Sequence, residues 1–495
     1  MQRKQLTLVI VSLLVVVLSV SLAWFTTQII GKGKNLNVTS ANLQIVFTDS
    51  DGALTETDIE PGWSATKTFT IKNDTKTEYK YNIVIKDLLN TFVTEGYLQY
   101  KITSTNDGYN MTEFKDIPKS SVATDTILAY SVVIPNGVTQ SYTIEFKYAN
   151  DESVDQSIDM NKKLSGTLFI TEGTEEPVTL LSQLLADKST KLTRTDFSTV
   201  LTNDNTNTLY TSTEDSKTVY YFAENATDNW VKFGKNASNQ DLYWRIIRTN
   251  SDGSVRLLYH GTSTTATDAY IGKSEFNSST NDIAYVSYMY GSTGSIANAR
   301  TNQTNSSTIK TAIDNWYKDN LNTNYGKYIS TTAVYCNDRS TSNNEDFGAR
   351  TRLVTNKTPT YDCSATEDKF TVDSSTGNGK LTYPIALMTA DEVSFAGGVL
   401  YTNAPTWYYY NSAKGSSTGD TLWLLLSPSY WSGGFASVFY VGGSSRPGYL
   451  NDDYVNGSRG VRPAISLKSC TLYSTGNGSA SDPYTIKETE TETGC

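Results

Sequence analysis

Between residues 41 and 170 the chain alternates apolar and polar side chains with a period of two, a pattern that commits its first third to β-structure. Runs at 43–47 (L-Q-I-V-F), 69–71, 81–85, 98–102, 130–134, 142–146 and 164–170 read as strands. Asp51-Gly52, Pro61-Gly62 and Pro135-Asn136-Gly137 supply turns between several of them. About seven strands in about 130 residues predict an antiparallel β-sandwich, bounded here at 36–170.

Residues 171–178 open with T-E-G-T-E-E-P, an acidic stretch with no apolar anchor, and read as a linker. At 495 residues the chain has room for a second folded unit, placed at 179–490. Its pattern is mixed α+β. A short helix is expected at 180–186, strands at 219–222 and 242–248, and a hairpin from the latter through Asp252-Gly253 into 255–259. Ser307 caps a helix whose Ile309, Ala312, Ile313, Trp316 and Asn320 follow helical spacing. Residues 322–380 are polar and irregular, a length that marks a segment as either functional or in need of a staple, which a Cys336–Cys363 bridge would supply. Residues 383–388 (Y-P-I-A-L-M) read as a buried strand running into Thr389-Ala390-Asp391-Glu392, a capping box for a helix that Gly397-Gly398 ends.

The N-terminus carries an address. Arg3 and Lys4 precede an apolar run at 6–23, and Ser21-Leu22-Ala23 offers small residues for signal peptidase. Residues 1–23 are a signal peptide cut after Ala23 or an uncleaved membrane anchor; both readings put the rest outside the cell. Four cysteines suit that compartment, and nearest-neighbour pairing predicts Cys336–Cys363 and Cys470–Cys495. The net charge of −10, without a basic patch, argues against nucleic acid and against a membrane surface as partner, leaving the N-terminal segment as the only membrane contact.

Short motifs connect the first unit to a family. The segment L-A-W-F-T at 22–26, N-L-Q-I-V-F from Asn42, I-E-P-G from Ile59 and F-T-I-K-N from Phe69 resemble the camelysin and TasA-type secreted proteins of Gram-positive bacteria. That resemblance implies a secreted or cell-surface location on a Gram-positive-type bacterium and a sandwich that displays a partner domain or self-assembles into a biofilm-matrix fibre. The metalloprotease activity described for camelysins does not carry over, because a zinc hydrolase needs several ligands, usually through H-E-x-x-H, and this chain has one histidine, His260.

The second unit has a resemblance of its own. W-R-I-I from Trp244, I-D-N-W-Y around Trp316, L-M-T-A-D-E-V from Leu387, W-L-L-L-S-P from Trp423 and G-V-R-P-A-I-S-L from Gly460 appear in the order of an uncharacterised family of Gram-positive surface domains. That family is similar to the C-type lectin fold in its formylglycine-generating-enzyme-like form. The resemblance implies an α+β C-type-lectin-like domain whose ligand-binding face is built by the loops before the last G-V-R strand. Here those loops are 429–437, 439–449 and 451–459. Their residue mix also resembles that of proteins varied by diversity-generating retroelements, which implies a hypervariable surface.

The composition of 423–463 points the same way. Tyr, Trp, Phe, Ser, Gly, Asn, Asp and Arg fill the gaps between sparse small apolar residues, as in an antibody combining site. Trp423, Leu424, Leu425 and 460–463 read as scaffold, with Arg462 in a structural hydrogen-bond network. Tyr430, Trp431, Phe435, Tyr440, Tyr449 and Tyr454 are the expected anchors, and Ser444, Arg446, Asp452, Asp453, Asn456 and Arg459 the expected polar contacts. Asn451, Asp452 and Asp453 offer oxygen ligands of the kind calcium takes, but no E-P-N-like segment accompanies them and Asn/Asp runs are ordinary loop residues, so no cofactor is expected, with calcium as the alternative.

Catalytic readings find less. His260 stands without a nucleophile motif and is expected at the surface or at a strand end. Asp391 and Glu392 point apart on a helix, and the capping box accounts for Glu392. The strands from 423 to 462 hold no cysteine pair for copper. The sequence therefore reads as an exported, adhesin-like protein that binds an extracellular protein or glycan and is not an enzyme; the alternative is a structural matrix or fibre component.

Overall fold

The computed structural model describes residues 36–40, 43–49, 59–266, 269–341, 345–404, 408, 422–443 and 445–488. The segment at 1–23, Ser444 and Cys495 lie outside them. The chain divides into two compact units, Met1–Glu176 and Pro177–Cys495.

The N-terminal unit is two antiparallel sheets. Its strands are β1 (Leu36–Ser40), β2 (Leu43–Asp49), β3 (Ser64–Asn73), β4 (Tyr79–Asn90), β5 (Leu98–Ser104), β6 (Lys115–Asp116), β7 (Ser120–Ile134), β8 (Thr139–Tyr148) and β9 (Leu164–Glu172). One sheet runs β1-β2-β3-β8-β5-β6 and the other β7-β4-β9. Each of the seven sequence runs falls inside a strand. The period of two explains the layers, because it turns Phe69 and Ile71 of β3 and Tyr142, Ile144 and Phe146 of β8 to one face. There they meet Tyr81, Ile83 and Ile85 of β4 in a single core. Phe69 stacks on its cross-strand partner Tyr142 at 4.8 Å between ring centroids. β9 extends through Glu172, so the first two residues of the expected linker are strand.

The C-terminal unit is also mostly β, with short helices. Helix α1 (Leu180–Asp187) begins at Thr179, whose hydroxyl accepts the Ser182 N–H while Ser182 returns the bond. The larger sheet contains β10 (Thr190–Thr193), β11 (Thr208–Glu214), β12 (Lys217–Tyr221), β13 (Trp230–Lys235), β14 (Asp241–Thr249), β15 (Val255–Gly261), β16 (Ala386–Leu387) and β17 (Pro463–Leu467). Its order is β10-β11-β12-β14-β15-β17-β16, with β13 on β14; β10–β11 is parallel and the other pairs are antiparallel. Helix α2 (Thr308–Tyr317) is capped by Ser307, and its Ile309, Ile313 and Tyr317 are buried while Ala312 and Trp316 are half-buried. Asn320 falls beyond its end, in a wider turn at Lys318–Asn322. Residues 383–388 are nearly all buried as expected, yet only Ala386–Leu387 pair as strand. Helix α3 (Ala390–Phe395) carries the capping box of Thr389 and Glu392.

Cys336 and Cys363 are joined and staple the irregular region. Cys470 is also disulfide-bonded.

Candidate functional site

The stretch singled out in the sequence forms most of a second sheet, and the three expected loops shrink to the turns between its strands. Lys273–Ser274, Arg459–Gly460, Trp423–Ser432, Phe435–Val441 and Leu450–Tyr454 lie side by side in that order. Trp423 to Leu426 and Ala436 to Val441 are buried, so the start of one strand and the body of the next are scaffold. A two-residue turn joins them at Gly433-Gly434, where φ is 60° and 90°. Two successive positive φ values are the condition for a tight hairpin that matches strand twist, and glycine meets it without steric cost. The expected loop 429–437 is thus the hairpin itself, because Phe435-Ala-Ser-Val-Phe-Tyr-Val carries a single polar residue and is buried from Ala436 onward; of 439–449 only Phe439–Val441 is strand, and 442–443 and 445–449 lie outside any strand. Leu450–Tyr454 is the edge strand, and its acidic residues suit an edge that avoids pairing with other chains.

The anchors sort by this geometry. Phe435 and Tyr454 are 47% and 48% exposed with ring centroids 5.1 Å apart. Tyr454 faces Ser437, which faces Tyr430 across the hairpin. Trp431 is half-buried against the core. Tyr449 is half-buried, with the exposed Arg446 guanidinium 5.2 Å from its ring centroid. Tyr440 is not an anchor: it is 8% exposed, Asn451 donates to its hydroxyl at 3.5 Å, and burial raises its pKa.

The polar residues separate as well. Asp452 Oδ1 accepts from Arg350 Nη1 at 3.0 Å, whereas Asp453 Oδ2 accepts from Arg459 Nε at 2.7 Å. Neighbouring strand residues face opposite ways, so Asn451, Asp452 and Asp453 engage three different partners and do not converge as one oxygen cage. Asn456 is exposed.

Arg350 and Tyr401 are the residues that sequence reasoning missed. Arg350 ends a short helical turn, Gly348–Arg350, that docks on the hairpin: Phe347 N–H donates to Ser429 O at 3.0 Å and Trp431 N–H to Glu345 O at 2.8 Å. Its guanidinium lies 5.5 Å from the Tyr430 ring centroid and also donates to Ser429 Oγ and Tyr401 Oη, each at 3.2 Å. Burial works against this charge, but Asp452, Tyr401 and Asp346 outweigh it and hold the pKa above the ordinary arginine value.

Beside this sheet lies a charged cavity lined by Glu214, Arg248, Arg256, Arg352, Asp391 and Glu392. Glu392 was assigned to the cap alone, yet its Oε1 accepts from Arg248 at 2.9 Å and Arg256 at 2.7 Å, while Oε2 takes the Thr389 N–H at 3.0 Å. Arg248 also reaches Glu214 at 2.8 Å. Arg352 bridges Asp338 and Asp391 at 2.7 and 2.8 Å. These carboxylates are occupied by arginine, and burial of Glu392 is outweighed by Arg256 and Arg248, which keep it ionised.

His260 keeps the expected strand end but not the expected surface. It lies near the end of β15 but is 3% exposed, with neither ring nitrogen hydrogen-bonded among the described residues and its ring edge-on to Trp230 at 4.4 Å. Burial first, then Arg245 of β14 and Arg462 just before β17, push its pKa well below 6.5. The folded chain therefore holds it neutral, while the unfolded chain protonates it below about pH 6.5. Stability from this group is complete above that pH and should fall by up to about 1.4 kcal/mol per pH unit as pH drops from 6.5 toward 5. Urea unfolding across that range should show the slope in the wild type and a flatter one in His260→Leu; equal slopes would contradict it. Carboxylates whose pKa is lowered, such as Glu392 beside Arg256 and Arg248, lose their contribution only at more acid pH than this window.

Arg462 is fully buried, donates to Tyr259 O at 3.1 Å and sits 4.8 Å from the Trp423 ring centroid, as structural scaffold should. No family model and no curated protein matches the chain. A solved structure titled "AvmM Catalyzes Macrocyclization in Alchivemycin A Biosynthesis" is similar to 30% of this chain and all of its own, at 10% identity and a TM-score of 0.16, too slight a likeness to bear on fold or activity.

Proposed function

We propose that this is an exported, adhesin-like surface protein whose C-terminal unit is a lectin-type domain binding an extracellular protein or glycan, and whose N-terminal sandwich displays it. The exposed Phe435–Tyr454 pair carries the reading: two large rings side by side on a rigid hairpin, flanked by arginine-held carboxylates, expose more aromatic surface than an unpartnered strand end needs. Rigid aromatics with fixed polar neighbours are what binding hot spots are made of. The lectin-type assignment draws support from the five sequence motifs, since Trp244, Leu387, Trp423 and Ile465 share one core against which Trp316 packs. In this reading 429–459 is the segment a retroelement would vary, and its scaffold positions Ala436, Val438 and Val441 would stay fixed.

Replacing Phe435 and Tyr454 together by Ser should weaken ligand binding by at least about tenfold, since each ring is a hot-spot candidate. Stability should change by no more than about 0.5 kcal/mol per site, as for exposed positions generally. A screen of the full chain and this variant on glycan and protein arrays checks it; unchanged signals would sink the assignment of the site. A second reading, a matrix or fibre subunit, is favoured by β1 standing at the edge of the first sheet. Growth of light scattering in the purified chain, with silent arrays, would select it.

A further inference from the structure

Tyr401 is a large side chain in a backbone conformation that large side chains avoid. Its φ is +62°, in the left-handed region where a Cβ crowds the following carbonyl. Glycine or asparagine would sit there with less strain, and a bulky residue held so is over-determined by its surroundings, an arrangement that clusters at functional sites. Two contacts hold it. Its N–H donates to Leu450 O at 3.0 Å, at the start of the edge strand, and its hydroxyl accepts from Arg350 Nη2 at 3.2 Å. The ring is nonetheless 49% exposed and stands 6.3 Å from that of Tyr449. Strain accepted for a half-exposed ring gains little packing, so stability does not explain the choice of residue.

Arg350 gathers the same place from another direction. Nε pairs with Asp346 at 3.0 Å, Nη1 with Ser429 and Asp452, and Nη2 with Tyr401. With its donors directed at protein groups, it acts through them rather than on a ligand. Because the Tyr401 oxygen accepts from Arg350, the phenolic proton is turned away from it; because Asp452 accepts through Oδ1, its Oδ2 keeps no partner among the described residues. One outward donor and one outward acceptor then stand on the two arms of a single guanidinium.

We infer that Tyr401 is a contact residue of the recognition face and Arg350 its positioning residue, the two presenting, with Asp452, a donor–acceptor pair to a neutral hydrogen-bonding group of the ligand, an amide or a hydroxyl. This rests on the reading of the hairpin face as a binding surface, and it extends that surface to residues outside 429–459. It also disfavours an anionic ligand, since the guanidinium is already committed to Asp346 and Asp452.

The test separates a residue kept for function from one kept for structure. Tyr401→Asn relieves the backbone strain and removes the ring, so the full chain should melt at the same or a higher temperature. Tyr401→Phe keeps the strain and loses the Arg350 contact, so it should gain nothing. On the same glycan and protein arrays Tyr401→Asn should lose signal by about tenfold, with Arg350→Met doing likewise and Arg350→Lys recovering part of it. A melting temperature that falls by several degrees in Tyr401→Asn would show that the ring is structural and overturn the inference, as would full array signal in that variant. If the wild type gives no array signal, the binding reading itself fails, and with it the contact role, whatever the melting result.

Discussion

Glu392→Ala should destabilise the C-terminal unit by about 3–5 kcal/mol, the cost of stripping a buried ion pair of one partner. Glu392 is 2% exposed, and its two oxygens serve Arg248, Arg256 and the backbone N–H of Thr389. Removing the carboxylate leaves Arg256, 1% exposed, with a carbonyl at Val334 and a long contact to Ser466 Oγ but no counter-charge among the described residues. Arg248 keeps Glu214 as its counter-charge and a bond to Thr249 O at 3.1 Å. The capping box is lost at the same stroke, a further contribution of about 1 kcal/mol. Glu392→Gln, which preserves shape and one acceptor, should cost less than the alanine variant. Urea unfolding of the full chain followed by tryptophan fluorescence gives the difference, and a loss below about 1 kcal/mol would mean that the arginines find water when the carboxylate goes.

The same residue shows what a sequence can and cannot disclose. The capping box is local: Thr389 and Glu392 are three positions apart, and the motif alone predicts both bonds. The arginines lie 144 and 136 positions earlier, on β14 and β15, and no pattern of spacing links them to α3. Strands of the N-terminal unit were legible for the local reason, since alternation survives whatever the partner strand is. His260 was misplaced for the non-local one: a polar residue at a strand end reads as exposed unless Trp230 is known to cover it.

The candidate site divides along this line as well. Its composition was legible, but its conformation was not: the resemblance to the lectin fold implies a loop at 429–437, where two positive φ values at Gly433-Gly434 make a hairpin. The nearly continuous apolar run at 435–441, broken only by Ser437, is the available signal for a buried strand. Tyr440 belongs to that run, so a variant that includes it would confuse binding with stability. Beyond the irregular length of 322–380, Arg350 offered no signal, because its role depends on a segment some 79 positions from Ser429 folding back onto the hairpin.

That segment is closed by the Cys336–Cys363 bridge, and replacing both cysteines by alanine should lower stability by about 3.5 kcal/mol, the loop-closure entropy expected for a loop of this size. The bridge spans 27 positions. The loss should appear through the unfolded chain, because native contacts pin both ends without the sulfurs. On one side Asn337 Nδ2 donates to Leu426 O at 2.8 Å, and Arg339 and Asp368 form a buried pair. On the other, Thr360 N–H donates to Asp391 Oδ1 at 3.1 Å, and Tyr361 stacks on Phe395 at 4.0 Å. The folded double variant should therefore keep its tryptophan emission and its array signal while its urea midpoint falls. Alanine at both positions isolates this bridge from the one at Cys470, which a reducing agent would also open. A midpoint within error of the wild type would show that the unfolded chain is already restrained in this region; loss of array signal in the folded variant would show instead that the bridge, and not the pinned ends, holds Arg350 against the hairpin.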